Sequence, residues 1–244
     1  MSDSEPKKDQ IFASKMSPTD FVFDDKVAAV FDDMVNRSIP GYSTILSMIG
    51  VLAERYFQEH SQIYDLGCSL GGASYAMAKQ MTQNDCSIQA IDNSRAMIDR
   101  LQQRLEKEPE LPIYCRCEDI LETEIDNASV VVLNFTLQFI ELPRRQELMD
   151  KIYRGLKPGG MVVISEKIIA PDPQLNNLLI ELYHGFKENM GYSKLEISQK
   201  RNALENVLIP ETLDQHRERL TRSGFRAFDV WFQCFNFASM IAFK

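Results

Sequence analysis

The period of apolar and polar positions changes repeatedly along the chain. Short apolar runs alternate with longer segments in which apolar residues recur at helical spacing. Because the first five runs largely alternate with helical segments, these runs are predicted to form parallel strands of a doubly wound sheet. The last two runs are adjacent and are predicted to pair as an antiparallel hairpin at its edge. The expected fold is α/β with a mostly parallel seven-stranded sheet and added helices, its strands being "QIYDLG", "SIQAID", "PIYCRCED", "SVVVLNFTL", "GMVVISEKI", "AFDVWFQ" and "FNFASMIAF".

Helical segments also precede the first strand. Polar and charged residues begin the chain and predict a flexible N-terminal tail over residues 1–20. Helical spacing then predicts N-terminal helices over residues 21–60, with Asp24 or Asp25 as the cap of the first one.

A long polar insertion interrupts the alternation late in the chain. Residues 171–210 have mostly helical spacing and are too numerous for a simple connection in a compact domain. We therefore predict a lid or an oligomerisation element there. With this insertion and the N-terminal helices included, residues 21–244 are expected to form a single domain.

Composition and charge narrow the possible functions. The chain of 244 residues has a formal net charge of −8, and its basic residues are dispersed. Proteins that hold nucleic acid usually present a basic face, so direct nucleic-acid binding is disfavoured and a small-molecule substrate is expected. The apolar runs are too short to span a membrane, and the first residues lack the apolar core of a secretory signal. We therefore expect a cytoplasmic protein that does not enter a membrane.

The five cysteines do not indicate a disulfide framework, because their number is odd and their spacing irregular. Cys115 and Cys117 form a C-x-C pair in a predicted strand, but no second Cys/His pair follows nearby in the sequence. We therefore expect free thiols and no metal site.

The stretch "YDLGCSLGGAS", from Tyr64 to Ser74, allows three interpretations. Its segment 67–71 fits the G-x-S-x-G nucleophile elbow of hydrolases, with Ser69 as the attacking group. An elbow follows several strands and an oxyanion loop, whereas only helices precede this segment. A reactive serine is therefore disfavoured.

The other two interpretations are a dinucleotide-binding turn and a glycine-rich loop that binds a cofactor without phosphate. A dinucleotide turn needs a middle glycine so that the backbone can approach the pyrophosphate, and Ser69 stands at that position. Asp65 adds a carboxylate beside the loop, which would repel phosphate but suit an amine. In the third interpretation no residue of the loop reacts, and Gly67, Cys68 and Ser69 line the pocket.

Polar residues stand at the carboxyl ends of the second, third and fourth predicted strands. Asp92 and Asn93 follow the second strand, where an acidic residue can accept both ribose hydroxyls. Asp119 can accept from an adenine amino group while Ile120 packs on the ring, and Asn134 ends the fourth strand. Each residue alone has a simpler explanation, as a cap, a loop residue or a satisfied core amide. Together they predict a site for an adenosine that carries an amino acid and no phosphate, which is S-adenosyl-L-methionine (SAM).

Several segments resemble a known family. From about Phe21 to the C-terminus the sequence is similar to the carboxy-S-adenosyl-L-methionine synthases of bacteria, most clearly in "YDLGCSLGGAS", "AIDNS", "VVLNFTLQF", "LKPGG" and "ISQKRNALENVLIPET". The first and fourth segments are typical of the wider class I methyltransferase superfamily, which implies its Rossmann-like fold. The lid segment "SQKRNALENVL" narrows the resemblance to the synthases.

The resemblance implies a reaction in which no methyl group is transferred. SAM and prephenate would give carboxy-SAM and phenylpyruvate. A hydroxide released as prephenate breaks down would remove a proton from the SAM methyl group, and the resulting sulfonium ylide would capture carbon dioxide. Carboxy-SAM would then serve a separate enzyme that carboxymethylates 5-hydroxyuridine at the tRNA wobble position. A homodimer is also implied, as is ligand contact by Tyr42.

Arg201, in the lid, is the expected catalytic residue. A methyl-transfer site places no permanent cation beside a sulfonium, because like charges repel. A site that builds a carboxylate on that carbon benefits from a planar, two-pronged donor. The residue pattern alone predicts a solvated arginine here, and the resemblance gives Arg201 its role. Lys194, Lys200 and Arg201 are the candidates for binding the two carboxylates of prephenate.

Two other function classes stay open on the sequence. A conventional SAM-dependent methyltransferase that acts on a small molecule would use the same pocket. A non-catalytic SAM-sensing module would bind the ligand without turnover and would offer its lid to a protein partner.

Overall fold

Seven strands form one sheet in the computed structural model, which describes residues 8–14, 21–82 and 85–244. The strands are β1 Gln62–Leu66, β2 Ser87–Asp92, β3 Ile113–Cys117, β4 Ala128–Asn134, β5 Leu156–Lys167, β6 Arg226–Cys234 and β7 Phe237–Phe243. Their order across the sheet is β3-β2-β1-β4-β5-β7-β6. Strands β1 to β5 are parallel, and β7 is antiparallel to both β5 and β6. The predicted α/β fold with an antiparallel C-terminal hairpin is confirmed.

Helices connect β1 to β2, β2 to β3 and β4 to β5, and others precede β1, whereas the chain passes from β3 to β4 through residues 118–127 without a helix. Asp24 caps the first helix, since its carboxylate accepts hydrogen bonds from the amides of Lys26 and Val27. The backbone leaves the helical region at Val30, so the N-terminal segment forms two helices before the long third one. Within the described ranges the helices are α1 Asp25–Ala28, α2 Phe31–Ser38, α3 Tyr42–Tyr56, α4 Gly72–Gln80, α5 Arg95–Leu105, α6 Leu142–Gly155, α7 Pro173–Asn189, α8 Lys194–Leu204 and α9 Leu213–Ser223, with a short 3₁₀ helix at Leu137–Phe139.

Apolar side chains cover both faces of the sheet. On one face the strands pack against α3, α4 and α5, through fully buried residues such as Ile49, Met77 and Leu101. On the other face Leu148 of α6 and Leu220 of α9 cover the strands. Burial on both faces explains why residues 130–133 of β4 are continuously apolar and do not alternate.

Part of the predicted flexible tail packs against the domain. Asp9 is buried, and its carboxylate accepts a 2.6 Å hydrogen bond from the Tyr192 hydroxyl. Phe12 is buried as well. The prediction of a tail over residues 1–20 is therefore corrected for residues 8–14, which are held by a buried carboxylate and an apolar side chain. Residues 1–7 and 15–20 lie outside the described residues.

Two helices, α7 and α8, fill most of the predicted insertion over residues 171–210. A capping box formed by Ser193 and Glu196 begins α8. The amide of Ile209 donates a 2.9 Å hydrogen bond to the carbonyl of Gln138, which fastens the end of the insertion to the loop after β4. In the part of the chain that the structure describes, no helix combines the length and apolarity needed to cross a membrane.

Candidate active site

A cavity of about 380 Å³ lies at the carboxyl ends of the parallel strands. This is where ligands bind in open α/β sheets. Nine of the ten site residues predicted from the sequence line it, namely Tyr42, Gly67, Cys68, Ser69, Asp92, Asn93, Asp119, Ile120 and Asn134. The fold therefore brings together residues that are far apart in the sequence.

The loop after β1 forms a tight turn of backbone against the cavity. Gly67 has a φ of 78°, and a Cβ atom there would lie 2.4 Å from the Thr136 side chain, so only glycine fits. Ser69 also has a positive φ, of 50°. The Ser69 amide donates a 2.9 Å hydrogen bond to Asp92, which holds the loop against the end of β2. The loop thus shapes a pocket.

Two backbone amides position the carboxylate of Asp92, which can still accept further hydrogen bonds. Its Oδ2 accepts from Ser69 and its Oδ1 accepts a 2.8 Å hydrogen bond from the amide of Ser94. Burial raises the pKa of Asp92, while the two amide bonds act in the opposite direction. Each carboxylate oxygen has a second acceptor position. A pair of ribose hydroxyls would fill those positions.

Two acceptors near the middle of the sheet suit an ammonium group. The Oδ1 atom of Asn134 is buried and has no hydrogen-bond partner among the described residues. Asp65 is buried too, and it accepts a 2.6 Å hydrogen bond from the hydroxyl of Ser74. Burial raises the pKa of Asp65 to about 6. Because an unpaired buried acceptor is costly, these atoms favour a ligand that donates hydrogen bonds.

Lys151 supports the loop that follows β3, a role that the sequence analysis missed. Its ammonium group donates to the carbonyls of Ile120, Leu121 and Thr123. Asp119 accepts a 2.9 Å hydrogen bond from the amide of Leu121. These bonds fix the loop that was predicted to contact adenine. A lysine inside an amphipathic helix gives no signal of this role in the sequence.

The fold matches that of known methyltransferases. A family model described as "Methyltransferase domain" matches residues 63–160. The solved structure of human N-acetylserotonin methyltransferase in complex with SAM is 17% identical, with a TM-score of 0.61 over 90% of this chain and 55% of that chain. An O-methyltransferase family protein from Burkholderia thailandensis is also 17% identical, with a TM-score of 0.62 over 91% of this chain and 60% of that chain. At these identities the likeness shows the fold alone.

Relatives of much higher identity carry a more specific name. The carboxy-S-adenosyl-L-methionine synthase of Geobacter sp. (strain M21) is 53% identical over 98% of this chain and 99% of its own. That of Trichlorobacter lovleyi is 54% identical with the same coverage of both chains. That of Yersinia pestis is 50% identical over 99% of this chain and 91% of its own. The chain belongs to the carboxy-S-adenosyl-L-methionine synthase family.

In this member of the carboxy-S-adenosyl-L-methionine synthase family, the predicted catalytic residue lies outside the cavity. Arg201 is exposed on α8 and is absent from the described residues that line the cavity. Its neighbour Lys200 is buried, lines the cavity and donates a 2.9 Å hydrogen bond to the Ser38 hydroxyl. Lys194, another candidate, is exposed at the start of α8. Of the three candidate cations, only Lys200 thus reaches the cavity directly.

Further basic residues, which the sequence analysis missed, stand near the lid end of the cavity. Lys167, at the end of β5, lines the cavity together with Tyr183 of α7. Lys187, one turn after Tyr183, is buried. Burial lowers the pKa of both lysines, and the nearby charge of Arg201 lowers it further. Asp92 and Asn134 were predicted because they end parallel strands. Lys167 ends the fifth parallel strand, so the same rule could have identified it.

Proposed function

We propose that this protein transfers a carboxyl group from prephenate to the methyl carbon of SAM, producing carboxy-SAM and phenylpyruvate. The observation that carries the proposal is that Lys167, which has no carboxylate partner among the described residues, lines the same cavity as the acceptors for SAM. Positive charge beside a sulfonium gives no advantage to methyl transfer, because like charges repel. It does favour an anionic second substrate and a carboxylate product. The names of relatives more than 50% identical support the same reaction.

The chemistry needs little from the protein except binding and exclusion of water. As prephenate loses carbon dioxide and hydroxide it becomes phenylpyruvate. The hydroxide takes one proton from the SAM methyl group and becomes water, leaving a sulfonium ylide. The ylide carbon then bonds to carbon dioxide and forms the carboxymethyl group. Asp92, Asp65 and Asn134 would orient SAM, and Arg201 would bind the new carboxylate once the lid moves inward.

The proposal also includes the use of the product, the location of the enzyme and its assembly as a homodimer. Carboxy-SAM would be the carboxymethyl donor for a separate enzyme that completes 5-oxyacetyluridine at the tRNA wobble position. The net charge of −8 is compatible with a cytoplasmic enzyme that does not itself hold tRNA. For the homodimer we place the subunit contact on α7, whose residues Leu175, Leu178 and Leu182 are exposed.

The direct test is incubation of the purified protein with SAM and prephenate, followed by mass spectrometry of the small molecules. We expect a SAM species heavier by one carbon dioxide, together with phenylpyruvate. Omitting prephenate should abolish it, and so should Gly67→Val, which places a side chain against Thr136. If only S-adenosylhomocysteine forms with some acceptor, the protein is a conventional methyltransferase. Binding of SAM without turnover on any donor would instead indicate a sensing module.

A further inference from the structure

Two lysines, Lys167 and Lys187, contact the same tyrosine ring at the lid end of the cavity. Lys167 lines the cavity, whereas Lys187 is not among the lining residues but lies against the lining residue Tyr183, with only 4% of its surface exposed. Their ammonium groups lie 5.4 Å and 4.6 Å from the centre of the Tyr183 ring. Within the described residues neither lysine forms an ion pair with a carboxylate. Because buried charges are normally paired, this arrangement leaves positive charge available to a ligand.

Lys200 differs from these two lysines, although it is buried nearby. Its ammonium group lies 3.6 Å from the carboxylate of Asp9 and donates to Ser38. Its charge is therefore already compensated by the N-terminal segment. Lys194 is exposed to solvent at the start of α8. The lysines without compensation, Lys167 and Lys187, are thus better placed for an anionic substrate than the two lysines that the sequence suggested.

Burial and repulsion from nearby cations both lower the pKa values of these lysines. Burial is the largest cause that lowers the pKa of Lys187, to about 7, followed by the charges of Lys200, Lys167 and Arg201. Burial and then Arg201 lower the pKa of Lys167. An anion bound between them would favour the charged forms and reverse both shifts. The cluster is therefore complementary to negative charge.

A row of aromatic rings connects this cluster to the cofactor end of the cavity. The Tyr42 ring lies 6.3 Å from that of Phe135, which lies 6.0 Å from that of Phe237. The Phe237 ring lies 4.9 Å from that of Tyr183, and all four residues line the cavity. Such a wall offers an apolar, polarisable surface to a flat ring. A ligand that spans the row would present a ring to the aromatics and an anion to the lysines.

We propose that Lys167 and Lys187 bind a carboxylate of the carboxyl donor, a ring-bearing dicarboxylate whose ring packs along Tyr183 and Phe237. This assignment rests on the proposed function, because only carboxyl transfer requires such an anionic second substrate. The cation pair holds one end of the donor while its other carboxylate points along the aromatic row toward the methyl carbon of SAM. Arg201 remains free for the product carboxylate.

The test measures donor binding without turnover. Prephenate is titrated calorimetrically into protein saturated with S-adenosylhomocysteine, which lacks the methyl group and cannot react. We expect Lys167→Met and Lys187→Met each to raise the Kd of prephenate about tenfold to a hundredfold, as loss of a charge-assisted bond does. The matched control Lys194→Met removes an exposed lid lysine and should leave this Kd unchanged. Unchanged affinity for S-adenosylhomocysteine shows that each variant is folded, and Lys187→Arg should recover most of the lost binding.

Each outcome decides one of the two proposals. If both methionine variants bind prephenate as the wild type does, the lysine site is overturned, even when carboxy-SAM is formed. If they lose binding but the wild type makes no carboxy-SAM, the site stands and the proposed reaction fails. A wild type that does not bind prephenate overturns both.

Discussion

Lys167 and Lys187 share one aromatic partner, the ring of Tyr183, at 5.4 Å and 4.6 Å from its centre. A cation–π contact contributes about 0.5–2 kcal/mol, less than the cost of removing an ammonium group from water without a counter-ion. The two lysines therefore destabilise this corner of the fold in the absence of a ligand. The charges that would bind an anionic ligand therefore lower the stability of the ligand-free protein.

Lys187→Met should make the ligand-free protein more stable, because it replaces a buried unpaired charge with an apolar side chain of similar length. We expect the melting temperature to rise by about 2–4 °C, the shift that about 1 kcal/mol gives in a chain of this size. Differential scanning calorimetry measures it. Lys194→Met, on the exposed surface, should change it little. A lower melting temperature for Lys187→Met would show that Lys187 is structural.

The same residue predicts a pH dependence of stability. The pKa of Lys187 is lowered to about 7 in the folded protein from 10.5 in the unfolded chain. Between these values the unfolded state binds more protons, so the free energy of unfolding rises with pH. The destabilisation by Lys187 is complete below about pH 7 and fades toward the unfolded pKa. The stability gain of Lys187→Met should therefore shrink as the pH is raised from about 7 to about 10; a constant gain would contradict this account.

Asn134→Leu tests the unpaired acceptor at the end of β4. The Asn134 Oδ1 atom has no donor among the described residues, so its removal leaves no partner unsatisfied. The melting temperature should stay the same or rise, whereas the Kd for SAM should increase about tenfold or more. Thermal unfolding and calorimetric titration of SAM separate the two effects. A destabilised variant that still binds SAM normally would mean that Asn134 serves the core.

Asp65 predicts that SAM affinity depends on pH. Burial raises its pKa to about 6 in the ligand-free protein, so it becomes neutral as the pH falls below that value. A neutral Asp65 loses its attraction for the ammonium group of SAM, and affinity should fall between about pH 7 and pH 5. In Asp65→Asn the affinity should be lower at neutral pH and nearly constant across this range. Parallel pH profiles for both proteins would exclude Asp65 from SAM binding.

Arg201 should distinguish the product from the substrate. Arg201→Ala is expected to weaken binding of carboxy-SAM about tenfold or more while SAM binding changes little, because only carboxy-SAM carries the extra carboxylate. Arg201→Lys should not restore full affinity, since it lacks the two-pronged geometry. Competition titrations with both ligands provide the measurement. Equal losses for both ligands would mean that Arg201 merely supports the lid.

The strand ends were predictable because their signal is local. Apolar runs that end in Asp92 or Asn134 mark the edge where ligands bind in parallel sheets, and the cavity lies there. The positive φ of Gly67 agrees with the glycine-rich pattern of the loop. These features follow from the spacing of apolar residues and from the rule that ligands bind at the carboxyl ends of parallel strands, so a single sequence is enough to predict them.

The lysine cluster could not be predicted in the same way. Lys187 lies in a polar helical segment, where a lysine usually faces water, and its burial depends on how α7 packs over the sheet. Asp9 lies in a segment that looks like a tail, yet it pairs with Lys200 across the fold. Contacts between residues so distant in sequence leave no pattern in a single chain.

Isotope labels can follow the transferred carboxyl group and the methyl protons of SAM separately. Prephenate labelled with ¹³C in the carboxyl group that it loses is incubated with the protein and with SAM whose methyl group carries three deuterons. We expect carboxy-SAM that contains the ¹³C label and two of the three deuterons, because one deuteron is lost to hydroxide before carbon dioxide is captured. Product without ¹³C, or intact transfer of all three deuterons to another molecule, would contradict it.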